Sequence, residues 1–485
     1  MQKIDDDLLS IQQARDLSKA AKSAYNIFAN FSQEEVDRII ESMARAGIEN
    51  AERLARMAVE ETGYGNVEDK TKKNIFSTKN VYDSIKDQKT VGEIGRDDKK
   101  KIVEIAHPMG VVCAITPTTN PTSTVMFKSL VSVKARNAVV FAPHPAALIC
   151  SKEAAYLMNQ AAQSAGAPAN LISCMGVVTL EGTRELMSSP NISLILATGG
   201  TAMVKAAHSY GKPALGVGPG NTPAYVDKSA DLKKAAQDIL TSKTFDNGVI
   251  CASEQAIVVH KDIHAEFKNI IEDLGGYFLS SDQIDKMGSI LIKSNTMNPE
   301  MVGKSPQYLA DAADFSIPST AKLLIAKLSG VGPGYPLSRE VLSPVIAYYI
   351  EDSWEEACKR CIDIINFGGL GHTLAIHAHD QQVITSFSHQ KPVFRILVNT
   401  PTSQGAIGAT TSLTPSMTLS TGTWGGGISS DNISASHLVN IKRVAYETAP
   451  LNYEKKQHQG AGYINTKEIE SMVRRVMQNL EIERK

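Results

Sequence analysis

From residue 102 onward, short β-rich runs alternate with helical segments, and no other feature of the chain constrains its fold as strongly. Val111-Val112-Cys113-Ala114-Ile115 is followed by a Pro/Thr/Asn loop and a helix predicted from about Ser123. Ala138-Val139-Val140-Phe141 reads as a strand, with a helix from about Ser151. Leu171-Ile172-Ser173 opens another unit, and Leu194-Ile195-Leu196-Ala197 runs into Thr198-Gly199-Gly200 and a helix from about Thr201. Strands separated by helices imply a parallel sheet with right-handed crossovers, in which ligands bind beyond the carboxyl ends of the strands. A second α/β section starts near Ala230. Ile257-Val258-Val259 and Pro344-Val345-Ile346-Ala347 are its strands, and glycine-rich turns such as Gly330-Val331-Gly332-Pro333-Gly334 divide its units. The fold class expected is therefore α/β.

The flanks differ. Residues 6 to 62 read as helical, and Ser32-Gln-Glu-Glu35 is a capping box. Residues 87 to 101 are polar and basic, as in a solvated hairpin. Residues 450 to 462 read as a polar linker. Beyond them Asn465 can cap a helix with Glu468 three residues on, and Ile469, Met472, Val473, Val476 and Leu480 fall on one face. A chain of 485 residues is expected to hold two or three domains. Its net charge of -1 argues against a nucleic-acid partner. Six cysteines are too few for a disulfide framework in this length, and an acidic N-terminus lacks a signal-peptide core. No apolar run reaches membrane-spanning length. A cytoplasmic protein is expected.

One cysteine stands apart. Cys251 lies in Phe245-Asp-Asn-Gly-Val-Ile-Cys-Ala-Ser-Glu-Gln255, just after the turn residues Asp246, Asn247 and Gly248. A thiol presented at an element edge can meet a substrate, whereas one inside an apolar strand is inert. The neighbourhood alone leaves open a nucleophile and a small core hydrophobe. Cys358-Lys-Arg-Cys361 lies in a helical context without a second pair, and reads as helix spacing rather than a zinc site.

Five further motifs occur in order: Thr116-Pro-Thr-Thr-Asn-Pro121, Phe141-Ala-Pro-His-Pro145, Ala197-Thr-Gly-Gly-Thr-Ala202, Gly216-Val-Gly-Pro-Gly-Asn-Thr-Pro223 and Glu340-Val-Leu-Ser-Pro-Val345. Together with the Cys251 stretch they resemble the aldehyde dehydrogenase superfamily, and within it the CoA-acylating branch. That branch holds acetaldehyde, sulfoacetaldehyde and microcompartment propionaldehyde dehydrogenases. The resemblance runs from about residue 100 to 445.

It implies an aldehyde dehydrogenase fold: a Rossmann-like cofactor domain over 1–228 with an oligomerisation hairpin near 87–106, and a catalytic domain over 229–430 carrying Cys251. An oligomerisation strand over 431–450, a linker over 451–464 and a terminal helix over 465–485 complete it. It implies Cys251 as nucleophile, with Asn120 and the Cys251 N–H holding the oxyanion, and His372, of Gly368-Gly-Leu-Gly-His-Thr373, near the active site to handle the CoA thiol proton. Thr116, Pro117, His144, Thr198, Gly199, Gly200 and Gly218 would bind the dinucleotide, with Glu340 on the nicotinamide ribose. Pro143 and His144 replace the lysine of most members, which leaves NAD or NADP open, with NAD favoured. Hydrolytic members carry a glutamate where this chain has Val217. Valine takes no proton, so the acyl-enzyme should wait for coenzyme A, whose thiol needs no such base. The implied reaction joins a short aldehyde, acetaldehyde favoured over propionaldehyde or sulfoacetaldehyde, with NAD and CoA to give acyl-CoA. A homodimer or homotetramer is implied. Asn465 to Glu481 resembles the helix that binds shell proteins and takes such enzymes into bacterial microcompartments.

Overall fold

The computed structural model describes residues 5–451 and 465–482. Most of the assigned linker and the side chain of Leu480 lie outside these residues. The described residues fall into two units, one within 1–94 and 104–442, the other within 95–103 and 443–485.

Strands β1 (Gly92–Asp97) and β2 (Ile102–Pro108) form the polar hairpin. β3 (Val111–Thr116), β4 (Ala138–Pro143), β5 (Ile172–Cys174), β6 (Ile192–Thr198) and β7 (Ala214–Val217) form a parallel sheet in the order β5-β4-β3-β6-β7. Every position of β3 and β4 is buried, as expected of strands covered on both faces. The cover includes the helices Asp6–Phe28, Gln33–Glu49 and Pro121–Lys134, whose Ala21, Phe28, Ile39, Met43 and Phe127 join the strands in one core. The Ser32–Glu35 capping box is present.

β8 (Thr222–Val226), β9 (Glu254–His260), β10 (Gly276–Phe278), the short β11 (Ile292–Lys293) and β12 (Thr296–Met297), β13 (Leu323–Lys327), β14 (Val345–Glu351), β15 (Gly371–His377) and β16 (Val393–Val398) follow. Apart from the β11–β12 pair they make a second sheet, β10-β13-β14-β9-β8-β15-β16, parallel throughout. The second sheet thus begins at Thr222, not after residue 228, because β8 pairs with β9 and β15 and leaves the first sheet at β7. β17 (Val439–Ala445) completes a third sheet of order β1-β2-β17. In the smaller unit the Tyr446 N–H donates to the Lys101 carbonyl. The terminal helix, Thr466–Ile482, exposes Ile469, Met472, Val473 and Val476. Asn465 Oδ1 caps it by accepting the Lys467 N–H.

Two element starts precede the sequence expectation. The helix after β3 starts at Pro121, since proline suits the first helical position. The helix expected from Ser151 starts at Leu148, because the Glu61 carboxylate accepts the N–H groups of Ile149 and Cys150.

Candidate active site

The order of the first sheet reverses between β3 and β6, the switch point at which an open α/β sheet binds ligands. A cavity of about 540 Å³ opens there. Thr116, Pro117, His144, Thr198, Gly199, Gly200 and Gly218 all line it. Gly200 precedes the helix Thr201–His208 without a side-chain cap, and a Cβ at Gly200 or Gly218 would meet nothing within 4 Å. First-turn N–H groups are therefore uncapped by side chains where a phosphate could sit. The Thr116 hydroxyl is buried and has no partner in the protein, so it can serve a bound ligand. These features fit a dinucleotide.

The same cavity reaches Asn120, Cys251 and Glu340. Cys251 stands three residues before β9, and Asn120 immediately precedes the helix Pro121–Lys134. The amino ends of the second sheet thus supply the thiol, and the carboxyl ends of the first supply the amide. Asn120 occupies an N-cap position but makes no side-chain cap. Its Oδ1 instead accepts from Lys73 Nζ at 2.7 Å. Lys73 is fully buried and also donates to Asp246 Oδ2 at 2.5 Å and the Val249 carbonyl at 2.7 Å. Lys70 Nζ reaches the same Asp246 oxygen at 2.9 Å and the Thr119 carbonyl at 3.0 Å. The turn before Cys251 needs such bracing: Asp246, Asn247 and Gly248 have φ of 53°, 52° and 77°. Asp69 Oδ2 accepts the Asp246 N–H, and Asp246 Oδ1 accepts the Asn66 N–H. A Cβ at Gly65 would lie 1.8 Å from Asp246 Oδ1, so only glycine fits there.

Sequence reasoning missed Lys70, Lys73 and Asp246 as parts of the site. Lys70-Thr-Lys-Lys73 looks like a solvated charge run, and only the i,i+3 spacing of Lys70 and Lys73 hints that they share a face. The stretch continues as a π-helical segment, Phe76–Asn80, before the helix resumes at Val81–Ile85.

Burial, and then Glu340, push the Cys251 thiol up to about 12, against the opposing charges of Arg395 and Lys73. Burial raises Glu340 to about 7, although its Oε1 accepts the Gly220 N–H at 3.0 Å. Gly220 also touches the Cys251 backbone, since a Cβ there would lie 2.1 Å from the Cys251 carbonyl oxygen. His372 does not line the cavity. It is completely buried at the start of β15 behind Gly220, with Nδ1 on the Thr373 hydroxyl at 2.9 Å. Burial and Arg395 lower it to about 3, so it is neutral at physiological pH and a weak proton acceptor. His372 thus lies beside the Cys251 loop but behind the cavity wall, where the sequence places it near the site. Arg395 is buried too and spends its guanidinium on the Ser420 and Ser430 carbonyls. Val217 lines the cavity and packs with Ile250, Ala252, Ile407 and Leu419. Cys358 and Cys361 lie one turn apart on the buried side of the helix Trp354–Gly368, with Cys358 Sγ against Lys391 Nζ.

Residues 8–277 match the model of the aldehyde dehydrogenase family. The chain belongs to the aldehyde dehydrogenase family. It is 51% identical to an acetylating aldehyde dehydrogenase of Geobacillus thermoglucosidasius, with a TM-score of 0.92 over 93% of this chain and 99% of that one. It is 42% identical over 451 residues to the bifunctional aldehyde-alcohol dehydrogenase AdhE of Escherichia coli K12, covering 92% of this chain and 51% of that protein. The chain thus spans about half the length of that relative. A propionaldehyde dehydrogenase from a fucose-utilisation microcompartment of Clostridium phytofermentans superposes with a TM-score of 0.81 at 31% identity, over 89% of this chain and 97% of the other.

Proposed function

We propose that this aldehyde dehydrogenase is CoA-acylating and acts on short neutral aldehydes, acetaldehyde first, with NAD. The observation that carries the reading is Val217, an apolar wall residue beside Ile250 and Ala252 where a hydrolytic enzyme would need a base. The choice of a neutral aldehyde follows from the lining. No lysine or arginine is among the residues that line the cavity, whereas a sulfonate or a second carboxylate would call for one. Arg395 does not line the cavity and donates through its two terminal nitrogens to the Ser420 and Ser430 carbonyls, keeping only its Nε–H without a partner among the described residues.

The Cys251 sulfur, its thiol proton lost to water in the cavity, attacks the aldehyde carbon to give a thiohemiacetal whose oxyanion meets the Asn120 amide and the Cys251 N–H. An ammonium can only donate, so the Asn120 atom facing Lys73 is its carbonyl oxygen, and the NH₂ is left for Thr119 Oγ1 and the cavity. Thr116, His144 and the first turn after Gly200 would hold the dinucleotide, and Glu340 its nicotinamide ribose. When bound, that cofactor accepts the hydride released as the thiohemiacetal becomes a thioester. The CoA thiol then attacks the thioester, Cys251 leaves, and acyl-CoA is released. Formation of NADH from acetaldehyde, followed at about 340 nm with and without CoA, tests this. Dependence on CoA supports it; CoA-independent turnover to free acid overturns it and makes Glu340 the first candidate for a water-activating base.

The exposed apolar face of Thr466–Ile482 supports a protein partner. Shell proteins of a microcompartment are the partner the helix suits, through a helix-in-groove contact at Ile469, Val473 and Val476. Unchanged shell co-purification after deletion of residues 455–485 would overturn this.

A further inference from the structure

Lys73 is almost wholly buried, and its three N–H groups meet three acceptors on two different loops. Two of these, Asp246 Oδ2 and the Val249 carbonyl, belong to the turn that presents Cys251. The third is the side chain of Asn120. We propose that Lys73 is a positioning residue of the active site, whose ammonium fixes the Asn120 amide relative to the Cys251 turn and keeps the amide N–H turned toward the cavity.

An amide has two orientations that differ by a flip of oxygen and nitrogen, and packing distinguishes them poorly because the two ends have the same shape. A donor-only neighbour distinguishes them absolutely. With Lys73 in place the flipped amide would set NH₂ against NH₃⁺, and the cavity would face a carbonyl oxygen that repels an oxyanion. Asp246 holds the ammonium in place, and Lys70 braces the next residue back by donating to the Thr119 carbonyl. The bracket therefore ties the oxyanion donor and the nucleophile's turn to one atom. Errors of about 1 Å between such groups are enough to slow chemistry by about a hundredfold.

The inference rests on Asn120 acting as the oxyanion donor, and the test separates the two ideas. Lys73→Met, Asn120→Ala and the double variant are compared by the pre-steady-state burst of NADH with acetaldehyde. NAD affinity and the rate of Cys251 alkylation by iodoacetamide, followed on the Cys251 peptide, are measured alongside. Asn120→Ala is expected to slow the burst by about 10²–10³-fold. Lys73→Met should slow it by at least about tenfold, while alkylation and NAD affinity change by less than about threefold. The double variant should be no slower than Asn120→Ala within about threefold, because Lys73 acts through the amide. Losses that multiply in the double variant, or alkylation that falls in step with the burst, would overturn the proposal and leave Lys73 a general scaffold. An Asn120→Ala burst at the wild-type rate would instead overturn the oxyanion role itself. Should Lys73→Met not fold, Lys73→Arg carries the same cycle, since a planar guanidinium keeps the charge but cannot serve three acceptors from one nitrogen.

Discussion

At its cofactor end the cavity is walled largely by small and apolar residues, among them the glycines of Thr198-Gly-Gly, Gly218, the threonine at the end of β3, Leu180 and Met203, with His144 the one titratable side chain named for that end. Its other end depends on charges held back from bulk water: Lys70, Lys73 and Asp246 are buried next to Asn120 and the turn before Cys251, and Glu340 is half-buried in the cavity wall. The first construction needs a sheet of the right order and a helix start, and is insensitive to pH. The second stands on a few pairwise interactions in low dielectric, each costly to lose and each coupled to protonation. Binding and chemistry in this aldehyde dehydrogenase should therefore fail under different substitutions and at different pH.

The comparison breaks most severely at the nucleophile. Cys251→Ala should abolish turnover while NAD affinity stays within about twofold; activity within a few-fold of wild type would remove Cys251 from the mechanism. Next comes Asp246→Ala, which leaves two buried lysines without their shared carboxylate. Loss of one partner from a buried pair typically costs about 3–5 kcal/mol, read here from urea unfolding. Stability within 1 kcal/mol of wild type would show that the cluster is hydrated in solution. Val217→Glu should add free acid to the products without abolishing acyl-CoA formation, measured by chromatography of both. A folded variant with no free acid would mean that water, not a base, is what the site excludes.

The remaining two predictions sharpen the contrast. Glu340 is neutral below its raised pKa of about 7 and anionic above it. As a carboxylate acceptor for ribose hydroxyls it should make the KM for NAD fall by up to about tenfold between pH 6 and 8, and Glu340→Gln should flatten that profile. By linkage, its charging works against the fold as pH rises from the unfolded carboxylate value toward 7, so Glu340→Gln should lose less stability across that window. His144→Ala, at the cofactor end, should change the same KM by no more than a few-fold and leave its pH profile intact.

The same division decided what could be read from the chain alone. The cofactor end follows a local grammar, strand then turn then helix, and Thr198-Gly199-Gly200 or Thr116-Pro117 announce themselves within a few residues. Lys73 meets Asp246 across 173 positions of sequence, and nothing near Lys70-Thr-Lys-Lys73 says which of its lysines turn inward. Lys72 pairs with Glu68 and Asp69 on the solvent side, as the charge pattern suggests, while its neighbours are buried. That His372 packs against Gly220 is likewise not legible in the chain, because it depends on how β8 and β15 pair. The helix that begins at Leu148 escaped for a related reason: its cap, Glu61, comes from a different helix.

The π-helical segment Phe76–Asn80 has a consequence for how this chain can change over generations. It holds one residue more than an α-helix would use between the lysines and Val81–Ile85. Deleting a single codon there would let the helix close up. The bulge would absorb that loss and leave the parts on either side facing nearly as before, whereas a second deletion, with no bulge left, would rotate the part before it by about 100° relative to the part after it. Lys73 would swing away from Asn120 even though no catalytic residue had been touched. Point substitutions along the exposed face of this helix are free to accumulate, but its length is not. Beyond that single residue of slack, the lineage is locked to a residue count rather than to a residue type.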